Sequence, residues 1–356
     1  MKNIMNHNNT ATQMLIEQAN VSIRYQTLRL FSSAENNLNV RSALENDKYI
    51  CLLLDSARNN VADFSFHNVH GATNKHLENL LPMLLDRGLD KSFSAFDEIF
   101  SSVIPVLRNK SYPDVNRYHV FTDIVLTPFL LAAGYRDEAL VEFYKKRLAL
   151  TSNFCAKMDF DIFGDQSGYK GIPKTFRDRK VIKPELYENC KYHFPLIYDL
   201  YGHAAMYDTL DSTEQMQVDN VIRYVMAEEY QEFPFGYGIL REPDNRNRYH
   251  AMGWDCVLPL ISDTATASVL HRMELLAEFP IARKSLWFQE GLALLDSYQN
   301  ENGMYVLPKI ALQEKEACWL LGNHMGLGEN RRKKDWHIIE GTFRTLRMKS
   351  KLRNAY

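Results

Sequence analysis

The sequence predicts an all-α fold assembled from about six helix pairs. Two observations predict it. Apolar residues recur at steps of three and four along most of the chain, which is the period of a helix with one buried face. The alternation of β-branched and polar residues that marks a strand is almost absent, so little sheet is expected. Of the 356 residues, 46% are hydrophobic, which is enough to form a sizeable core.

The helix pairs follow one another without a glycine- or proline-rich linker, so residues 14–356 are expected to form one domain. Residues 1–13 are polar and are expected to form a flexible leader. In the clearest pair, residues 121–133 are almost all apolar, as in an inner helix, and Asp137 then caps a one-sided outer helix. The pairs are expected near residues 14–60, 74–108, 120–153, 195–230, 255–298 and 317–350.

The most informative turn lies at the end of the fifth pair. A helix with apolar residues at 288, 292 and 295 runs into a polar turn that ends in Gly303 and Tyr305. Gly303 is expected to adopt the positive φ that a residue with a Cβ resists, and Tyr305 to fold back over the helix end. Gln299-x-x-x-Gly303-x-Tyr305 resembles the Q-x-x-x-G-x-W repeat of terpenoid cyclases, with tyrosine in place of tryptophan and Leu294 where an aromatic residue is common.

In that family the repeat joins consecutive helix pairs of an α/α toroid, and residues 231–237 carry glutamine, glycine and an aromatic residue in the same order. The resemblance implies an (α/α)6 toroid of the terpenoid cyclase and prenyltransferase superfamily, with an aromatic-lined central cavity for a hydrophobic, isoprenoid-like substrate. The 19 tyrosines and 19 phenylalanines suit such a cavity or an aromatic core. An open helical solenoid is the alternative arrangement.

The composition limits the functional classes. The formal net charge of −2 argues against a nucleic-acid-binding protein driven by overall charge. The N-terminus lacks the apolar core of a signal peptide, and no apolar run reaches the length of a bilayer span. The five cysteines are widely spaced and form no C-x-x-C pair, which indicates reduced thiols and a cytoplasmic location. Motifs for phosphate loops, dinucleotide folds, zincins and serine hydrolases are absent.

The first candidate site is an acidic loop that contains Asp159, Asp161 and Asp165. Three nearby carboxylates repel one another, which raises a pKa and keeps one acid protonated; alternatively they hold Mg²⁺. The loop resembles the first three positions of the D-x-D-D motif of class II terpenoid cyclases, which makes Asp161 the proton donor by resemblance, although Ile162 replaces the last aspartate. The alternative is a solvated acidic loop.

The second candidate is the stretch from Arg246 to Cys256. The ring of Trp254 can stabilise a cation, and a contact between His250 and Asp255 can tune a proton donor or acceptor. Asp255 and Cys256 with His271 or His324 resemble the zinc ligands of protein prenyltransferases, but there one residue separates the aspartate from the cysteine. The adjacent spacing here argues against zinc. The alternative is a capping aspartate beside a packed tryptophan.

The third candidate is the helix that carries Tyr198, Asp199 and His203. Asp199 and His203 lie four residues apart and therefore share a helix face. An aspartate in an otherwise apolar helix requires a partner when it is buried, so the pair is either a site or a hydrogen-bonded core feature.

These observations lead to the hypothesis of a cyclase-like enzyme with acid-initiated chemistry. The residues assigned to catalysis are Asp161, Asp165, Asp255 and His250. The residues assigned to substrate binding are Tyr198, Asp199, Tyr249, Trp254 and Trp319.

Two other classes stay open. A carbohydrate-active hydrolase, lyase or epimerase would use Asp199, Asp255, His250 and Trp254. A helical scaffold or ligand-binding protein would use none of them in catalysis. A dry lumen would favour isoprenoids, whereas an open polar cleft with carboxylates would favour sugars. The expected partner is a hydrophobic small molecule rather than a nucleic acid, and the basic segment 331–334 with the helix after it offers at most peripheral contact with a membrane or a diphosphate.

Overall fold

The structure is a computed structural model that describes residues 2–32, 38–71, 73–111, 116–188, 191–233, 236–242 and 248–353. It is 62% helix and 4% strand, which confirms the predicted all-α class. The helices of the first third are α1 (Lys2–Gln18), α2 (Val21–Phe31), α3 (Leu38–Glu45), α4 (Lys48–Ala62), α5 (Phe66–Val69), α6 (Leu77–Asp86), α7 (Ser94–Phe100) and α8 (Val103–Asn109).

The middle of the chain contains α9 (Asn116–Ala132), α10 (Glu138–Cys155), α11 (Ile197–Met206), α12 (Ser212–Met226), α13 (Glu228–Gln231), β1 (Ile239–Arg241) and β2 (Tyr249–Ala251). The last third contains α14 (Thr266–Leu276), α15 (Pro280–Arg283), α16 (Leu286–Ser297) and α17 (Trp336–Arg353). The two strands pair antiparallel, with Leu240 opposite His250.

The chain divides into two compact units. Unit 1 consists of residues 1–114, 132–135 and 259–356, and unit 2 of residues 115–131 and 136–258. Helix α1 covers most of residues 1–13, where the sequence predicts a flexible leader. Ala11 and Leu15 of this helix are fully buried among α2, α17 and the segment around Tyr305, so the helix is part of the core of unit 1.

Unit 1 has a buried ionic network. Arg344 and Arg347 of α17 bind Asp86 at the end of α6 and Glu274 of α14; Arg347 Nη2 lies 2.7 Å from Asp86 Oδ1 and 2.8 Å from Glu274 Oε1. Burial alone would raise the pKa of Asp86, but the two guanidinium groups outweigh it and lower that pKa. Gln26 of α2 donates a 3.0 Å hydrogen bond to the Asp86 carbonyl, so four helices meet at the network.

The turn singled out in the sequence has the predicted geometry. Gly303 has a φ of +79°, and the Gln299 side chain donates to its carbonyl over 3.3 Å. Tyr305 is buried; its backbone N–H donates to Thr342 of α17, and Lys349 of α17 donates to its hydroxyl over 2.7 Å. The tyrosine therefore packs the end of α16 against α17.

Unit 2 is built around the inner and outer helices that the sequence predicts. Residues 122–131 of α9 are buried, whereas α10 buries one face that includes Leu140, Tyr144 and Leu148. Asp137 caps α10 by accepting from the Ala139 N–H over 3.0 Å, as predicted. The helix α12 packs against α10, and its N-cap is Asp211 in a capping box with Glu214.

Two helices are shorter than expected. The sequence predicts helix from residue 255 onward, but α14 begins at Thr266, after an irregular stretch that contains Pro259. The expected helix at 317–322 is a single 3-10 turn over Trp319–Leu321, which Gly322 ends with a φ of +73°. Residues 156–188 between α10 and α11 lack α-helix and consist of loops, three short 3-10 helices and isolated bridges.

Candidate functional site

The acidic loop is held by local hydrogen bonds. Asp165 caps the short turn Gln166–Gly168 and accepts from the Ser167 N–H at 3.0 Å and its hydroxyl at 2.7 Å. These hydrogen bonds lower the pKa of Asp165, which is the opposite of the rise expected from mutual repulsion. Asp161 is exposed and forms a 2.7 Å ion pair with Lys183. Neither aspartate has the buried setting of an acid that protonates an alkene.

Asp161 does line a groove on the surface of unit 2. The groove has a volume of about 490 Å³ and is lined by Phe160, Asp161, Phe163, Gly164, Gln166, Lys180, Glu229, Glu232 and Phe233. Its three phenylalanines are half-buried, whereas the three carboxylates, Gln166 and Lys180 are exposed. The groove thus has an aromatic floor and a polar rim that carries both acceptors and donors.

The aromatic floor is fixed from below. The Phe160 ring stacks on Tyr224 of α12 with ring centroids 4.6 Å apart, and Phe163 meets Phe233 edge to face at 5.5 Å. Gly164 donates to the Val181 carbonyl over 3.0 Å, and this bridge brings Lys180 beside Phe163. The Lys180 ammonium lies 5.2 Å from the centroid of the Phe163 ring.

The acidic rim comes from α13 and the residue after it. Glu229 and Glu232 are three residues apart in helical conformation, so their side chains are neighbours. Both side chains are exposed, and neither forms an ion pair or hydrogen bond with another described residue. Their oxygens are therefore available to a ligand in the groove.

The residues around Trp254 form an aromatic core. The Trp254 ring lies edge to face with Tyr198, at 5.4 Å, and with Phe121, at 4.9 Å. Its carbonyl accepts from the N–H of Ile197 at the start of α11 over 2.8 Å. Trp254 adopts a φ of +64°, a conformation that costs a side-chain-bearing residue energy and that this packing stabilises.

Asp199 is a paired core residue. The Arg147 guanidinium donates to both of its carboxylate oxygens, at 3.0 and 2.6 Å, and the Leu196 N–H donates at 2.8 Å. Both side chains are buried. His203 on the same helix face is fully buried beside the Tyr144 hydroxyl, and burial lowers its pKa to about 4. Asp199 and His203 are therefore buried core residues, which is the second of the two alternatives that the sequence left open.

The remaining predicted residues lie in separate settings. Asp255 accepts a hydrogen bond from the Val257 N–H over 3.0 Å. Its carboxylate lies so close to Gly236 that a Cβ on this glycine would be 2.2 Å from it. His250 is half-exposed on β2 and binds the buried carboxylate of Glu242. Tyr249, buried on the opposite face of β2, donates from its hydroxyl to the Lys170 carbonyl over 2.8 Å.

Trp319 belongs to unit 1, whereas the other eight predicted residues belong to unit 2. Its ring meets His271 of α14 edge to face at 4.5 Å, and its backbone N–H donates to the Asn79 side-chain oxygen over 2.7 Å. Burial lowers the pKa of His271 to about 4. The structure thus brings together Tyr198 and Trp254, but it distributes the other assigned residues over several settings.

The basic residues near the C-terminus are mostly engaged within unit 1. Arg344 and Arg347 belong to the buried network, Lys349 binds Asp296 of α16, and Lys351 binds Glu278 over 2.5 Å. No helix in the described ranges is long and apolar enough to cross a membrane. Within the same ranges, no group of three His, Cys, Asp or Glu side chains is arranged to hold a metal ion.

The comparisons with known proteins leave the site to be interpreted from its own geometry. No family model, curated protein or solved structure matches this chain. Sequence reasoning missed Glu229, Glu232 and the three phenylalanines of the groove. Their signal is visible as two short clusters of phenylalanine and carboxylate, at residues 159–165 and 229–233, which the fold brings together.

Proposed function

We propose that the protein recognises a neutral oligosaccharide in the groove of unit 2. The observation that carries the proposal is the aromatic floor with the unpaired carboxylates of Glu229 and Glu232 on its rim. A sugar ring presents an apolar C–H face and an edge of hydroxyl groups. The C–H face suits the rings of Phe160, Phe163 and Phe233, and the hydroxyl groups suit the oxygens of Glu229 and Glu232.

The rim is better suited to binding a polyol than to binding a single ion. Carboxylates accept hydrogen bonds, whereas Lys180 and the Gln166 amide donate them, and a sugar hydroxyl can do both. The open, polar character of the groove favours the carbohydrate alternative over the dry lumen that an isoprenoid would require. Asp161 is exposed and ion-paired, which gives the acid-initiated cyclase hypothesis no support.

The proposal is recognition rather than hydrolysis. Glycosidic cleavage by two carboxyl groups requires one on each side of the scissile bond. Glu229 and Glu232 lie side by side on one helical turn and therefore approach a ligand from the same side. Asp161, the third carboxylate of the groove, is held in an ion pair with Lys183.

Isothermal titration calorimetry with cellotetraose, maltotetraose, xylotetraose and chitotetraose tests the proposal. We expect one of these sugars to bind, and we expect Glu229→Gln/Glu232→Gln to weaken its affinity at least tenfold. A hydrogen bond to a charged group contributes roughly 1.5–3 kcal/mol, and each 1.4 kcal/mol is a factor of ten. Phe233→Ala should weaken binding as well, because it removes part of the floor.

Glu228→Gln is the matched control. Glu228 is an exposed glutamate at the start of the same short helix but does not line the groove. The affinity of this variant for the sugar should therefore equal that of the unmodified protein. Absence of binding to all four sugars, or equal affinities in the three variants, would reject the proposal.

Two broader expectations accompany this function as proposals. Closure of the helix pairs into an (α/α)6 toroid is supported by the joint at Gln299–Tyr305, which has the backbone form that the repeat requires. A cytoplasmic location is supported by the free thiols of Cys51, Cys155, Cys256 and Cys318, while Cys190 lies outside the described residues.

A further inference from the structure

A second surface of unit 2 is strongly basic. Residues 169–180, which we call the basic strap, run from the acidic loop to the bridge beside β1. Within these twelve residues Asp178 provides the single negative charge. The positive charges are those of Lys170, Lys174, Arg177, Arg179 and Lys180.

The strap is anchored by its apolar side chains. Tyr169, Ile172 and Phe176 pack against a small core of Val181, Ile239 and Tyr249. The Tyr249 hydroxyl holds the Lys170 carbonyl at 2.8 Å, and the Ile239 N–H holds the Lys180 carbonyl at 2.9 Å. With the apolar side chains used in packing, the charged side chains remain at the surface.

Three of these charges are uncompensated. Lys170, Lys174 and Arg177 are exposed, and none of them forms an ion pair within the described part of the chain. Lys180 differs because it also lines the groove with the carboxylates. The net charge of −2 for the whole chain therefore conceals a local excess of positive charge on the strap.

Two guanidinium groups add flat surfaces next to these charges. Arg179 lies over the Phe176 ring, 5.8 Å from its centroid, and Arg241 of β1 lies over the Tyr169 ring at 5.0 Å. A guanidinium held on an aromatic ring can bind phosphate bidentately and can stack on a base.

We propose that the basic strap binds the backbone of a single-stranded nucleic acid. A single strand offers regularly spaced phosphates and unstacked bases, which match the exposed cations and the guanidinium planes. The strap has an irregular backbone rather than a helix that would fit the major groove of a duplex. It exposes no large apolar side chain that would enter a bilayer, which disfavours a membrane as the partner.

Fluorescence anisotropy with labelled 20-nucleotide oligo(dT) and oligo(U) at several KCl concentrations tests this proposal. For single strands, the logarithm of affinity falls with the logarithm of salt by about 0.7 for each phosphate contact. We therefore expect Lys170→Ala/Lys174→Ala/Arg177→Ala to reduce the salt slope by about 2 and the affinity at 0.1 M KCl by about 100-fold. Far-ultraviolet circular dichroism identical to that of the unmodified protein would show that this variant is folded.

The control removes three exposed cations elsewhere. Lys315, Arg332 and Lys334 belong to unit 1, and Lys315→Ala/Arg332→Ala/Lys334→Ala changes the net charge by the same amount. Equal losses in the two triple variants, or no binding by the unmodified protein, would overturn the proposal. Tighter binding to phosphatidylserine vesicles or to polyglutamate than to either oligonucleotide would overturn it in favour of that partner. None of the three strap residues lines the groove, so the result is independent of sugar binding.

Discussion

At the scale of single residues, Arg147 and Asp199 form a buried ion pair in unit 2. Two charges share a buried site, and the Asp199 carboxylate additionally holds the Leu196 N–H at the start of α11. Such a pair contributes less to net stability than its short distances suggest, because both groups lose their hydration. Removal of one partner is costly because the other charge stays buried and unpaired.

We expect Asp199→Asn to destabilise the protein by about 3 kcal/mol, as measured by urea unfolding at pH 7. The double variant Arg147→Met/Asp199→Leu should cost less than Asp199→Asn alone, since it leaves no unpaired charge. A loss below about 0.5 kcal/mol for Asp199→Asn, which is typical of surface changes, would show that the pair is not buried in solution.

His203 makes stability depend on pH. Burial lowers its pKa from 6.5 to about 4, so below pH 6.5 the unfolded chain binds a proton that the folded protein does not. Stability is therefore fully present above pH 6.5 and falls as the pH decreases toward 4, by about 1.4 kcal/mol per pH unit for each such histidine. His271 in unit 1 acts in the same direction.

Urea unfolding between pH 7.5 and 5 measures this effect. His203→Met should reduce the fall in the free energy of unfolding over this pH range by the part that one histidine contributes, whatever the effect of the substitution on stability at pH 7.5. The exposed His67 is the control, and His67→Met should leave the slope unchanged. An unchanged slope in His203→Met would mean that the imidazole is hydrated in the folded protein.

At the scale of elements, the turn after α16 was the best prediction from the sequence. Its glutamine, glycine and tyrosine have local roles that depend on residue type and spacing alone, so the positive φ of Gly303 followed directly. The contacts of Tyr305 with α17 did not follow, because they join residues about forty positions apart.

Gly303→Ala should destabilise the protein by about 1–2 kcal/mol, because a Cβ is unfavourable at a φ of +79°. Thermal unfolding measures this loss. Glu301 is exposed in the same turn, and Glu301→Ala should lie within about 0.5 kcal/mol of the unmodified protein. Equal midpoints for the two variants would contradict a required left-handed conformation.

The periodic segments and the irregular ones differ in how far the sequence predicts them. Helix α10 was expected because its apolar spacing and its Asp137 cap are local signals. The hairpin of β1 and β2 and the groove were not expected. Phe163 contacts Ile182 and Phe233, which are distant from it in the sequence, and no periodic pattern of residues predicts these contacts.

At the scale of the whole molecule, the sequence predicted the helical class but not the grouping of candidate residues. Asp199, Asp255 and Trp254 were selected because polar or aromatic residues in apolar surroundings mark sites and paired core positions alike. Each has partners that the sequence could not identify, such as Arg147 for Asp199. Glu229 and Glu232 of the groove were missed because exposed glutamates are common on helices.

The buried ionic network of unit 1 also constrains the order in which the two units can fold during synthesis. Asp86 emerges from the ribosome long before Arg344 and Arg347, its partners in α17. Unit 2 lies between them in the sequence and is complete once residue 258 has been made. Domains generally fold as units as the chain is synthesised. Unit 2 can therefore reach its native state first, whereas Asp86 in the early part of unit 1 gains its arginine partners only when α17 has been made.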